Sequence, residues 1–196
     1  MRGRLIPFLL LGLLLCMPLT CGVARAETVT WKAPEVTVKM DLPKGYIFKE
    51  VYSRKALIFS PKKDFRIIAR VLPSMVVTAE EIRREGGHHH HEPVGTKELA
   101  KRLVGTAKAM NGRSASGRKV ETIGTRVSEV GKGVWFGEEI YTITDEKRGT
   151  RELFCQRIYY SPKFTLSLFL EERLKKGEDE KAIYRLFQKI ADSISF

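Results

Sequence analysis

Alternation of hydrophobic and polar residues predicts extended strands between residues 36 and 72. The strand-like segments are 36–42, 46–51, 56–59 and 65–72. In the last of them, Phe65, Ile67, Ala69 and Val71 share one face, as a strand with one buried side requires. Turn sequences built on Pro43-Lys44-Gly45 and Pro61-Lys62-Lys63-Asp64 separate the segments, since proline fixes one φ and glycine allows a positive one.

A helical pattern occupies the middle of the chain. Thr78-Ala79-Glu80-Glu81 has the capping-box spacing, which predicts a short helix that ends at Gly86-Gly87. A longer helix is predicted to be capped by Thr96 and to end at Asn111-Gly112. Its apolar residues recur at three- and four-residue steps: Leu99, Leu103, Ala107 and Met110.

Strands and a closing helix are predicted for the second half. The strands are 120–130, 134–144, 151–160 and 163–170, and their short connections, such as Gly131-Lys132-Gly133, require antiparallel neighbours. A final helix begins near Glu178-Asp179-Glu180 and carries an apolar stripe that includes Phe187, which we expect to pack on the sheet. The prediction is an α+β fold: a mainly antiparallel β-sheet of about six to eight strands with packed helices.

The first 26 residues predict an export signal. Arg2 and Arg4 precede an apolar segment over residues 5–15, and Ala24-Arg25-Ala26 fits a signal-peptidase site. We therefore expect cleavage near Ala26, a single domain over residues 27–196, and a periplasmic or secreted protein. A retained membrane anchor is one alternative, and lipidation at Cys21 is another, although the residues before that cysteine fit poorly.

Charge narrows the choice of partners. Three of the 35 Lys and Arg residues and none of the 23 Asp and Glu residues lie before Glu27. The processed chain would therefore have 32 basic and 23 acidic residues, a net charge of +9. This balance favours a protein partner or an anionic envelope component, and it is compatible with peripheral membrane contact. Export separates the protein from nucleic acid, which is not expected as a partner. For the surface itself, a solvated mixture of both charges is favoured over a dedicated basic patch.

The order of elements resembles the PsbP/DcrB-like family of secreted α/β/α sandwich proteins. The resemblance rests on a hairpin around Leu42-Pro43-Lys44-Gly45-Tyr46, the Thr96-capped helix, the meandering strands and the tail Ala191-Asp192-Ser193-Ile194-Ser195-Phe196. It implies a non-catalytic binding or assembly role in the cell envelope, and no functional residue can be carried across.

All four histidines are consecutive and suggest a metal site. His88, His89, His90 and His91 lie between a Gly-Gly pair and Glu92. Neutral imidazoles bind zinc, nickel and copper, so the alternative function is a transition-metal-binding protein that uses this run. A glycine-flanked run supplies no fixed geometry, however, and a solvated loop is the favoured interpretation of it.

The remaining residues give little support for catalysis. Without another histidine, a Ser-His-Asp or Cys-His arrangement would need this same loop, so the chain is predicted not to be an enzyme, with an unidentified hydrolase as the third hypothesis. Glu138 and Glu139 should lie on opposite faces of a strand, and Glu171-Glu172 at a strand end; both doublets are expected to be exposed surface charge.

Cys155 and the aromatic residues are expected to pack in the core. Cys155 is the one cysteine left after processing, so no internal disulfide can form, and it should lie beside Leu153 and Tyr159 as a small apolar residue rather than a reactive thiol. Most aromatic residues of the second half should be buried. The less favoured alternative is that a minority face outward beside Arg151, Arg157 and Lys163 and line a binding surface.

Overall fold

The computed structural model describes residues 26–62, 65–78, 94–111 and 117–196. The strands are β1 (Glu27–Lys32), β2 (Thr37–Leu42), β3 (Ile47–Tyr52), β4 (Lys55–Phe59), β5 (Arg66–Pro73), β6 (Arg118–Gly131), β7 (Val134–Asp145), β8 (Thr150–Tyr160) and β9 (Phe164–Arg173). The helices are α1 (Thr96–Leu103), α2 (Thr106–Asn111) and α3 (Glu180–Asp192). The helix predicted after Thr78 lies outside the described residues.

Seven strands form one antiparallel sheet. Their order is β3-β4-β5-β9-β8-β7-β6, and β1 and β2 pair with each other in a separate two-stranded sheet. The predicted α+β class with a mainly antiparallel sheet is therefore confirmed. The connection of Lys132 and Gly133 between β6 and β7 is the tight hairpin turn that the sequence predicted, with Gly133 at a φ of 75°.

The predicted hairpin around Leu42 and Tyr46 is wrong. A turn is present there, since the amide of Tyr46 donates to the Pro43 carbonyl at 3.1 Å and Gly45 has a φ of 86°. The strands on its two sides do not pair, however, because β2 pairs with β1 and β3 pairs with β4. The β1–β2 pair instead buries its alternate side chains against the large sheet, so the turn carries the chain from one sheet to the other.

One side of the large sheet, which we name the packed face, is closed by α3 and the β1–β2 pair. Its core contains Leu166, Leu168 and Leu170 of β9 together with Phe187 and Ile190 of α3. Asp179 caps α3 by accepting hydrogen bonds from the amides of the second and third residues after it. The predicted position of Phe187 in the core is confirmed.

Among the described residues, helices cover one half of the opposite side of the sheet. Helix α1 packs on β7 and β8, and α2 packs on β6. The corresponding side of β3, β4, β5 and β9 bears apolar side chains that belong to neither core cluster, among them Leu57, Ile68 and Phe169. We name this part of the sheet the open face.

The single helix predicted from Thr96 to Asn111 is divided in two, and its predicted Thr96 cap is absent. Gly95 occupies the N-cap position of α1 without a side-chain hydrogen bond, and α1 ends at Leu103. Gly105 follows with a φ of 150°, a conformation that favours glycine. The carboxylate of Glu139 accepts hydrogen bonds from the amides of Gly105 and Ala107, and this long-range partner sets the start of α2.

Gly137 allows α1 to approach the sheet closely. A Cβ atom at this position would lie 2.3 Å from the Ala100 carbonyl oxygen and 3.1 Å from the Leu103 side chain. We expect Gly137→Ala to push α1 outward and to lower the free energy of unfolding by about 1–3 kcal/mol, as measured by urea denaturation. Gly124→Ala is the matched control, because a Cβ at Gly124 meets no atom within 4 Å. Equal midpoints for the two variants would contradict this packing.

Candidate functional site

The histidine run and the export signal both fall outside the described residues. His88, His89, His90, His91 and Glu92 lie in the segment 79–93, and residues 1–25 contain the signal. Among the residues that the structure does describe, no three His, Cys, Asp or Glu side chains are grouped as a metal site. Within the same part of the chain, no helix combines the length and the apolar character that a membrane span needs. Metal binding and export therefore stay predictions.

Glu138 and Glu139 are buried, which corrects the expectation of exposed surface charge. They lie on opposite faces of β7 as predicted, but each is only 1% exposed. They are buried because tertiary packing covers β7 on both sides of the sheet, with α3 on one side and α1 and α2 on the other. Sequence alternation showed that the two side chains point apart, but it could not show what covers each of them.

Glu138 belongs to a buried ionic cluster with Arg157. The Nε of Arg157 donates to Glu138 Oε2 at 2.7 Å, and Gln188 Nε2 donates to Glu138 Oε1 at 2.8 Å. The guanidinium also lies over the Phe136 ring, 4.6 Å from its centroid. The alternative that placed Arg157 beside an outward-facing binding surface is wrong, because Arg157 is 1% exposed and its position on β8 points into the packed face. Both oxygens of the Glu138 carboxylate are hydrogen-bonded and shielded from water, so the group is suited to a structural role.

Asp192 extends this cluster to the end of α3. Its Oδ1 accepts from Arg157 Nη1 at 2.8 Å and also from Arg126 Nη2. Burial works to raise the pKa of Asp192, but the hydrogen bonds from Arg126 and Arg157 outweigh it and hold the pKa below its ordinary value. The Tyr159 hydroxyl donates to the Ala191 carbonyl at 2.5 Å. Together these bonds attach the last turn of α3 to β6, β7 and β8.

Glu139 performs a local structural task on the other side of β7. Burial raises the pKa of its carboxyl, and the hydrogen bonds from the backbone around Gly105 and Ala107 oppose that rise without cancelling it. A carboxylate at the start of a helix interacts favourably with the exposed amides there. Its bonds are thus directed to α2, and neither glutamate of this doublet faces solvent.

Cys155 is a core residue, as predicted. It lies in β8, opposite Ile140 of β7 and Leu170 of β9, and is fully buried. Burial raises the pKa of its thiol, so the unreactive neutral form is favoured. The expectation that most aromatic residues of the second half pack is also confirmed, although Phe196 is exposed. The buried or half-buried ones include Trp135, Phe136, Tyr141, Phe154, Tyr159, Tyr160, Phe164 and Phe169.

The open face brings two cations into direct register. Lys55 of β4 pairs with Arg70 of β5, and Tyr52 of β3 lies on the other side of Lys55. The side chains of Lys55 and Arg70 lie on the open face, because their chain neighbours Ala56 and Ala69 point to the opposite side and are buried in the packed core. Among ion pairs between described residues, none involves Lys55 or Arg70. The sequence showed these cations 15 positions apart, and only the register places them together.

A groove lies at the other end of the open face. It has a volume of about 350 Å³ and is lined by Arg66, Ile68, Glu152, Phe169, Glu171 and Arg173. A smaller depression of about 180 Å³ shares Glu152 and continues toward β7, where Asp145 is paired with Arg118 at 3.5 Å and with Arg148 at 3.8 Å. Of the doublet expected to be exposed at this strand end, Glu171 is exposed, whereas Glu172 is half-buried. The role of Glu171 in a groove could not be read from the sequence.

Comparison with known proteins finds a distant structural likeness. No protein-family model matches the chain, and no curated protein matches it. A solved structure of a protein from Bacteroides thetaiotaomicron VPI-5482 is similar with a TM-score of 0.44 and 10% identity, over 85% of this chain and 47% of that one. The chain thus spans about half the length of that protein, and a likeness at this level carries no argument about function.

Proposed function

We propose that this is a non-catalytic, exported protein of the cell envelope that binds an anionic component through the open face. The observation that carries the proposal is the direct pairing of Lys55 with Arg70. Like charges directly opposite each other on neighbouring strands destabilise a sheet. A bound anion would offset the repulsion between Lys55 and Arg70. The pairing of these two cations therefore destabilises the free protein but favours the complex with an anion.

The surroundings of the two cations fit a phospholipid surface with anionic headgroups. Tyr52 is 67% exposed and Leu72, two residues after Arg70, is 42% exposed. An amphipathic tyrosine and an apolar leucine beside cations suit the boundary between headgroups and acyl chains, where each Lys or Arg contributes about 1 kcal/mol. The net charge of +9 expected after processing acts in the same direction.

The absence of catalysis in this proposal rests on what the reactive groups already do. Glu138 is bonded to Arg157, Glu139 holds the start of α2, and the Cys155 thiol is enclosed in the core. The resemblance to the PsbP/DcrB-like family supports the same kind of role, because it implies a fold used for binding and assembly.

Lys55→Glu tests the proposal by separating binding from stability. The processed protein is mixed with vesicles in which roughly a third of the lipid is phosphatidylglycerol, and the bound fraction is measured by co-sedimentation. Replacing a cation by an anion should weaken binding by about 30-fold, since two units of charge are lost at about 1 kcal/mol each. The same change should raise the unfolding free energy by about 0.2–1 kcal/mol, because the new carboxylate would face Arg70 as an opposite charge.

Lys132→Glu provides the control for this experiment. Lys132 is exposed in the turn between β6 and β7, and its replacement changes the net charge equally. Binding by this variant should stay close to that of the unmodified protein. Equal binding by both variants, or equal binding to vesicles of phosphatidylcholine alone, would refute the proposed use of the open face.

A further inference from the structure

We infer that the groove at the end of the open face binds a short peptide that carries both a positive and a negative group. Its floor is apolar and is formed by Ile68 of β5 and Phe169 of β9, which are partners in the sheet register. Its walls carry two cations, Arg66 and Arg173, and two anions, Glu152 and Glu171. A pocket of this kind, with an apolar base and a few converging polar groups, is typical of a ligand site.

The four charged side chains of the groove form no ion pairs with one another. Arg173 and Glu152 face each other in register across β9 and β8, yet among ion pairs of the described residues none involves any of the four. The neighbouring depression is different, because there Asp145 is already bonded to Arg118 and Arg148. The groove can therefore offer two cations and two anions to a ligand.

This mixture of charges defines the class of ligand. A purely anionic group would be attracted by Arg66 and Arg173 but repelled by Glu152 and Glu171, and a purely cationic group would meet the reverse. A zwitterionic molecule with an apolar middle satisfies both pairs and covers the apolar floor. The site differs in this respect from the surface around Lys55 and Arg70, and the inference does not depend on membrane binding.

The dimensions favour an extended peptide. From β5 across β9 and β8 to β7, the groove and its adjoining depression cross three strand-to-strand spacings, about 14 Å in total at about 4.8 Å each. An extended chain rises about 3.3 Å per residue, so about four residues span this distance. The occupant that we propose is thus a peptide of about four residues with charged ends and apolar central side chains.

Calorimetric titration of the processed protein with the tetrapeptide Lys-Leu-Phe-Asp, free at both termini, tests the inference. Saturable binding with one site per protein is expected, and acetyl-Gln-Leu-Phe-Asn-amide, which lacks the charges, should bind at least about tenfold more weakly, equivalent to about 1.4 kcal/mol. No saturable binding at millimolar peptide, or equal affinity for the two peptides, would overturn the inference.

Charge-changing variants locate the site. Arg173→Glu should weaken binding at least about tenfold, because it converts a favourable contact into a repulsive one. The double variant Arg173→Glu with Glu152→Arg restores the balance of charge and should recover most of the affinity. Lys176→Glu, an exposed change in the loop after β9, is the control and should bind as the unmodified protein does. An unchanged affinity of Arg173→Glu for the peptide would show that the peptide binds elsewhere. The outcome of the vesicle experiment with Lys55→Glu does not depend on this result.

Discussion

Phe187→Ala is expected to lower the free energy of unfolding by about 3–5 kcal/mol. Phe187 is 0% exposed and lies at the centre of α3, where it packs in one core cluster with Leu166 and Leu168 of β9. Removing the ring leaves a cavity that the surrounding strands can fill only in part. The loss is a large share of the total free energy of unfolding, since domains of this kind are stable by about 5–15 kcal/mol and Cys155, the cysteine of the described residues, is free.

Urea denaturation followed by circular dichroism measures this loss. Arg185→Ala is the matched control: Arg185 is exposed in the same helix, and alanine has an equal or better helix propensity. That variant should unfold within about 0.5 kcal/mol of the unmodified protein. If Phe187→Ala unfolds at the same urea concentration as the control, the proposed packing of α3 on the sheet is incorrect.

Arg157→Ala is expected to lower the free energy of unfolding by about 3–5 kcal/mol, because it removes the closest cationic partner of the buried Glu138 carboxylate. Glu138 would keep its hydrogen bond from Gln188 and its longer ion pair with Arg126 at 3.6 Å, but it would lose the hydrogen-bonded cation closest to it. The loss would also remove one of the two arginines that bind Asp192 and the stacking of the guanidinium on Phe136.

A double variant separates the buried charge from loss of volume. Glu138→Leu combined with Arg157→Met removes both charges and keeps similar bulk, so it should be clearly more stable than Arg157→Ala alone. Thermal unfolding at neutral pH makes the comparison. A double variant no more stable than Arg157→Ala would show that packing, rather than the weakened neutralisation of the Glu138 carboxylate, causes the loss.

The same cluster predicts how stability depends on pH. The pKa of Asp192 is held below its ordinary value in the folded state, so its contribution is complete above the unfolded pKa of about 4 and is lost as the pH falls further. Arg157→Ala removes one of its two cationic partners, so the variant should lose less stability than the unmodified protein between neutral pH and acid. Urea denaturation of both proteins over this pH range measures the difference, and parallel losses would contradict the role given to Arg157.

The strands of the second half and helix α3 could be predicted because their signals are local. The segment predicted as 134–144 is β7 at Val134–Asp145, and the segment predicted as 151–160 is β8 at Thr150–Tyr160. Two-fold alternation identifies a buried strand face, and connections too short for a crossover require antiparallel neighbours. Asp179 acts through amides two and three residues away, so the start of α3 was also visible in the sequence.

The candidate sites could not be predicted, because they depend on which strands become neighbours. β5 lies beside β9 although about 90 residues separate them, and this pairing brings Ile68 and Arg66 to the groove with Phe169 and Arg173. Nothing in the local pattern around Lys55 indicated that Arg70 would face it. The charged residues of the open face were therefore indistinguishable from ordinary surface charge.

By itself, the sequence determined the α+β class, most strand positions, the core faces of β5, β8 and β9, and the burial of Cys155 and Phe187. Tertiary structure alone decided that β2 pairs with β1 rather than β3, that Glu139 divides the middle helix at Gly105, and that Glu138 meets Arg157 in the interior. The physical reason is the difference in sequence distance over which the two kinds of interaction act. Backbone propensity and side-chain alternation act over a few residues, whereas coverage of a sheet face and the balance of buried charge arise between segments that meet only in the folded chain.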